Sequence, residues 1–122
     1  MTVTGPDFVS LQVRDLERAA RFYQDGLGLS RAPQAPPGAV VFATTPIPFA
    51  VREPLPGTDL DAGPGPGTGV GLWSQCDGVQ ALHAKLVELG TPILKGPVPG
   101  PFGTTFTLSD PDGYAVTIHG ED

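Results

Sequence analysis

The sequence predicts an α+β protein made of two consecutive modules of one design, each a strand, a helix and then further short strands. Three observations predict it. Stretches of alternating apolar and polar residues give way to stretches with apolar residues at helical spacing. That succession occurs twice, on either side of a Gly/Pro-rich segment. In each half a candidate helix cap and a helix-ending glycine stand thirteen positions apart, Asp15 with Gly28 and Asp77 with Gly90. Internal repetition of this kind reports architecture directly.

The elements follow in order. Residues 8–13 alternate, with Val9, Leu11 and Val13 on one face and Phe8, Ser10 and Gln12 on the other, as a strand between two different environments requires. Asp15 can accept from the free amides of a first helical turn. Leu16, Ala20, Tyr23 and Leu27 follow at helical spacing, and Gly28 suits the left-handed residue that ends a helix. Residues 40–43 and 49–51 read as short strands joined by a turn at Thr45-Pro46. The segment 54–68 contains Gly63-Pro64-Gly65-Pro66-Gly67, which can form neither helix nor central strand, and reads as a linker.

The pattern then restarts. Val70, Leu72, Ser74 and Cys76 alternate with Gly71, Trp73 and Gln75. Asp77 is a second candidate cap, Val79, Leu82, Leu86 and Leu89 form a helical stripe, and Gly90 ends it. Residues 93–94, 104–108 and 115–119 are the remaining strands. The expected organisation is a single domain over residues 1–122, with module one at about 7–53, the linker at about 54–68 and module two at about 69–120. Each module is a short sheet with a helix on one face. Two of them can curl into a half-barrel with the helices outside and a concave inner face, the natural place for a ligand.

Composition narrows the function. The net charge is −6, from 7 basic and 13 acidic residues, and the basic ones are scattered. Such a surface repels phosphate backbones, so no nucleic acid partner is expected, and cationic ligands are mildly favoured. The single cysteine, Cys76, allows no intrachain disulfide and suits a reducing compartment. No apolar run approaches the roughly 18 residues that span a bilayer. The first residues show no basic stretch followed by an apolar core. A cytoplasmic protein with no membrane partner is the expectation.

Residues 8–29, with Phe22-Tyr23 followed by Leu27-Gly28, resemble the opening signature of the vicinal oxygen chelate superfamily, which includes glyoxalases, bleomycin-resistance proteins and dioxygenases. Asp110-Pro111-Asp112-Gly113, ahead of the last strand, is similar to its closing signature. The resemblance spans nearly the whole chain. It implies paired βαβββ modules, usually in a homodimer with two cavities. In themselves, Phe22 and Tyr23 read as packing residues, and the Asp-Pro-Asp-Gly run reads as a turn.

The resemblance also implies where metal-dependent members hold their ion, and each position departs from that pattern. The first ligand position falls on Phe8, the second on Gly71 and the last on Thr117. None is a good donor for a divalent ion. His83 falls on a helix and His119 at a strand end, so neither rebuilds the set. No metal and no other cofactor is expected.

Strand alternation assigns the faces. Val9, Leu11, Val13, Val70, Leu72, Val116 and Ile118 should meet the helices, while Phe8, Ser10, Gln12, Gly71, Trp73, Gln75, Ala115, Thr117 and His119 should face the cavity. Thr105 and Thr107 should join them, and Phe42 and Phe49 are further candidates. This lining is aromatic and neutral polar. It offers no carboxylate pair and no nucleophile beside a base, so no catalytic residue is assigned. It suits a flat conjugated molecule. The chain looks like the metal-free, drug-sequestering branch of the superfamily, whose ligands include bleomycin and mitomycin. The expected function is non-catalytic binding and sequestration of an aromatic or polycyclic natural-product antibiotic, giving resistance. The alternatives are a glyoxalase-like lyase, isomerase or oxygenase acting on a small molecule, and an interaction module with a vestigial cavity.

Overall fold

The computed structural model describes all residues, 1–122, and divides into two compact units, Met1–Leu60 and Asp61–Asp122. The division falls inside the segment read as a linker. Each half of that segment is tied to its own unit. Leu55 N donates to Gln12 Oε1 (2.7 Å) and Arg14 Nη2 to the Leu60 carbonyl (2.9 Å), whereas Gly67 lies against the Tyr114 ring.

The first unit contains β1 (Val9–Gln12), α1 (Leu16–Arg21), a π-helical turn over Phe22–Gly26, β2 (Ala39–Phe42) and β3 (Phe49–Arg52). β3 lies in the middle, parallel to β1 and antiparallel to β2. The Asp15 side chain accepts from Arg18 N at 3.1 Å and caps α1. The helix does not run on as one α-helix to Leu27. After six residues it widens, and Leu27 N donates to the Phe22 carbonyl five residues back (3.2 Å). Gly26, a weak helix former, lies buried in that turn. Tyr23 is buried with its ring centroid 4.9 Å from Phe49 and 6.2 Å from Phe42, and these rings with Leu11, Val13, Ala19, Ala20 and Val51 make the core of the unit.

A full strand is missing between α1 and β2. In its place Arg31 makes a single antiparallel bridge with Phe42, flanked by Ala32 N to Val41 O (2.7 Å) and Ala43 N to Ser30 O (2.9 Å). Pro33, Pro36 and Pro37 follow and have no N–H to extend the pairing. Arg31 is held by Glu17 (2.8 Å) and Gln24 (2.6 Å). That guanidinium also holds the Glu17 carboxyl below its usual pKa.

The second unit contains β4 (Leu72–Gln75), α2 (Val79–Glu88), β5 (Ile93–Gly100), β6 (Gly103–Ser109) and β7 (Ala115–Gly120), in sheet order β4-β7-β6-β5. With the Arg31 bridge counted as a strand, the first unit has the same order, β1-β3-β2-bridge. The repeat read from the sequence is thus a repeat of topology. The chain is α+β, with open sheets of seven strands in all and two α-helices.

Three sequence expectations need correction here. Asp77 does not cap α2. The position before the helix is Gly78, in the left-handed conformation (φ 78°), and Asp77 Oδ1 instead accepts from Gln75 Nε2 (3.2 Å). The Gly78 and Val79 amides donate to the Glu121 carbonyl, so the chain beyond β7 satisfies the start of α2. β5 is eight residues long and runs through Gly96 and Pro97. It can do so because it is an edge strand with shifts in register, where a missing N–H costs no ladder bond. Val70 does not meet a helix: it closes a turn (Val70 N to Gly67 O, 3.0 Å) ahead of β4 and is 64% exposed.

The buried face of this sheet carries Phe106, Leu108, Val116 and Ile118 with Val79 and Leu86 of α2. His83 of α2 packs edge-on to Phe106 at 5.2 Å. Asp110 Oδ1 accepts from the Asp112 and Tyr114 amides, both at 2.9 Å, so the Asp-Pro-Asp-Gly run is a turn held by its first side chain. No helix is long and apolar enough to cross a membrane.

Candidate functional site

The face of the second sheet turned away from α2 is built by register. Trp73 pairs with Thr117, Thr117 with Thr107, and Thr107 with Lys95, so one row crosses all four strands. A second row runs Gln75, His119, Thr105, Val98. Paired residues share a face, and the alternate positions, Phe106, Leu108, Val116 and Ile118, are the buried ones.

Three rings gather at one corner. Trp73 and His119 have centroids 5.8 Å apart, and Phe102 stands 6.2 Å from each, edge-on to the indole (80°). Trp73 is 56% and Phe102 64% exposed, although such rings are usually covered. Phe102 was not among the residues singled out from sequence. Its signal is an aromatic residue between Pro101 and Gly103 in the turn joining β5 to β6, a place where packing needs none.

The corner stands on tightly stacked backbone. A Cβ on Gly103 would lie 2.3 Å from the Gly120 carbonyl oxygen, and one on Gly120 would lie 2.0 Å from that of Cys76. These approaches draw the ends of β6, β7 and β4 together beneath the Phe102 turn. Cys76 Sγ lies 3.2 Å from the Asp77 carbonyl, and burial, with the Asp77 charge adding to it, raises the thiol pKa. Both effects favour the protonated thiol.

Beside the rings the face is hydroxylic. Thr107 and Thr117 are hydrogen-bonded through their Oγ1 atoms at 2.9 Å, and Thr105 Oγ1, across from His119, donates to the Gly103 carbonyl (3.4 Å). No Asp or Glu occurs in either row, and nowhere in the molecule do three His, Cys, Asp or Glu side chains gather.

The sequence-derived candidates distribute as follows. Trp73, Gln75, Thr107, Thr117 and His119 stand together on this face, with Gly71 just before β4 and 3.5 Å from the indole Nε1 to a Cβ placed on it. Ser10 and Gln12 lie on the corresponding open face of the first unit, and Phe8, exposed, immediately precedes β1. The Gln12 side-chain Oε1 accepts from the Leu55 backbone N–H. Phe42 and Phe49 are corrections: their rings stack on each other (6.0 Å) and pack at a tilt against Tyr23, so they face the helix. A short apolar run has no polar alternate to reveal its facing, and only packing against Tyr23 does so.

The family model of the glyoxalase/bleomycin resistance protein/dioxygenase superfamily matches residues 5–118. The chain belongs to that superfamily. Among solved structures of the same fold is TnmS3, an antibiotic-binding protein from Streptomyces sp. CB03234, 26% identical over 100% of this chain and 99% of that one, with TM-score 0.76. A glyoxalase/bleomycin resistance protein from the same Streptomyces strain is 27% identical, covering 94% and 99%, with TM-score 0.73. FosX, a fosfomycin resistance protein of Listeria monocytogenes, shares the fold at 17% identity (99% and 95% covered, TM-score 0.74), and its structure is a complex with Mn(II). No curated protein matches the sequence. The residues at which the resemblance places the ligands of metal-dependent members do not fit an ion. Phe8 has no donor atom, Gly71 no side chain, and the Thr117 hydroxyl is paired with Thr107.

Proposed function

We propose that this superfamily member binds and sequesters a flat aromatic or polycyclic natural-product antibiotic, without transforming it, and so protects the cell that makes it. The observation that carries this reading is the exposed corner of Trp73, Phe102 and His119 beside a neutral, hydroxyl-bearing sheet face. Exposed inclined rings offer faces and edges to a conjugated ligand. The surrounding side chains hold none of the paired carboxylates or base-activated nucleophiles that chemistry on the ligand would draw on. Sequestration needs affinity alone. The full-length likeness to an antibiotic-binding protein supports the same reading.

Gly71, Gln75, Thr107 and Thr117 complete the proposed ligand-binding set on this face, and Phe8, Ser10 and Gln12 are the proposed binding residues of the first unit's own open face. The protein acts as a homodimer in the cytoplasm, where Cys76 stays reduced, and uses no cofactor. Trp73 is the only tryptophan, so its fluorescence reports on the site. Titration with planar aromatic antibiotics should quench that emission saturably and raise the melting temperature, without consuming the compound. Turnover of the bound compound, or no binding by any planar aromatic, would overturn the reading.

A further inference from the structure

The net charge of −6 suggests a cationic ligand, but the sheet face says otherwise. Its first row begins at Trp73 on β4 and ends at Lys95 on β5, with the hydrogen-bonded Thr117–Thr107 pair between them. The second row, Gln75 to Val98, adds no carboxylate. Lys95 is exposed and sits where β5 shifts register against β6. From Ile93 to Lys95 the edge strand advances two residues against one of its neighbour, so Lys95 stands in register with Thr107. With strands about 4.8 Å apart, three steps put the Trp73 and Lys95 backbones roughly 14 Å apart. The ammonium, on its flexible four-carbon stem, can swing back over the threonines. A fused ring system with one substituent spans what is left.

We propose that this face takes a planar aromatic acid: the rings lie against Trp73, Phe102 and His119, polar ring substituents meet the Thr107 and Thr117 hydroxyls, and the acid group pairs with Lys95. The proposal rests on the sequestration reading and names its ligand class. Charge complementarity decides it, since Lys95 is the one Lys or Arg in either row and faces no carboxylate there. The Asp77 carboxylate is held by Gln75 on β4, at the opposite edge of the sheet from Lys95, and the remaining surface acids are screened by salt, whereas a direct pair with Lys95 is screened less.

The test uses two probes of one shape, anthraquinone-2-carboxylate and anthraquinone-2-carboxamide, titrated into the whole protein at pH 8 by Trp73 fluorescence. The acid should bind about three- to tenfold more tightly than the amide, the range of a partly exposed ion pair. Lys95→Met should abolish that preference by weakening the acid to the level of the amide, and Lys95→Arg should keep it. Added salt should shrink the preference in the wild type only. Equal binding of the two probes, or a preference that survives in Lys95→Met, would overturn the role of Lys95 and leave sequestration standing. Binding of neither probe would overturn the ligand class proposed here, and sequestration falls with it only if no other planar aromatic binds.

Discussion

Trp73 and Gly120 do opposite things within one corner of the molecule. Trp73 is exposed, touched by Phe102 and His119, and absent from the buried core, so its removal should leave the fold intact. Trp73→Ala is expected to weaken a stacked ligand about thirtyfold, equivalent to ~2 kcal/mol, in calorimetric titration. Phe102→Ala should produce a smaller loss of the same kind, because its ring meets the indole at the edge. Equal affinities for wild type and Trp73→Ala would make the ring a surface feature without a binding role. Gly120 contributes no side chain, yet a methyl there would sit 2.0 Å from the Cys76 carbonyl oxygen, in a backbone conformation (φ 149°) that other residues avoid. Gly120→Ala should destabilise the protein by about 2–4 kcal/mol, through steric displacement of β7 from β4, and urea unfolding measures it.

The two helices look alike in sequence and start differently. Asp15 caps α1 through Arg18 N, while Asp77 bonds Gln75 and leaves the start of α2 to the Glu121 carbonyl. Asp15→Ala should therefore cost about 1 kcal/mol in chemical unfolding, and Asp77→Ala distinctly less. Equal losses would mean that the Glu121 contact does not do the work of a cap. The strands show a similar split. Alternation places Thr105 and Thr107 opposite Phe106 and Leu108, as the β6–β7 register has them. It finds only the start of β5, at 93–94, and misses the rest, whose Gly and Pro residues read as loop and which pairs because β6 offers it a free edge.

For the molecule as a whole, charge and edges matter. A net −6 disfavours phosphate backbones, but it is an average, and the face centred on the Thr107–Thr117 pair carries the opposite local sign at Lys95. β1 and β4 each end their sheet with one side unpaired. Exposed strand edges invite a partner chain. The proposed homodimer should appear in light scattering as twice the 12.6 kDa chain mass at micromolar concentration. A strictly monomeric mass would count against it.

The repeated strand–helix–strands order, the Asp15 cap, the glycines ending both helices and the outward Trp73 were all legible in the sequence, because each depends on residues close together along the chain. Local periodicity and turn chemistry carry that information. The superfamily membership was legible too, through the Phe22-Tyr23 and Asp110–Gly113 signatures. Tertiary structure alone decided the rest. Phe42 and Phe49 turn inward because Tyr23 packs on them, Phe102 joins Trp73 because Gly103 closes on Gly120, and Lys95 shares a row with Trp73 because a bulge shifts β5 by a residue. Each of these depends on segments distant in sequence, and the energy of such contacts is decided by shape and register, which local composition does not encode.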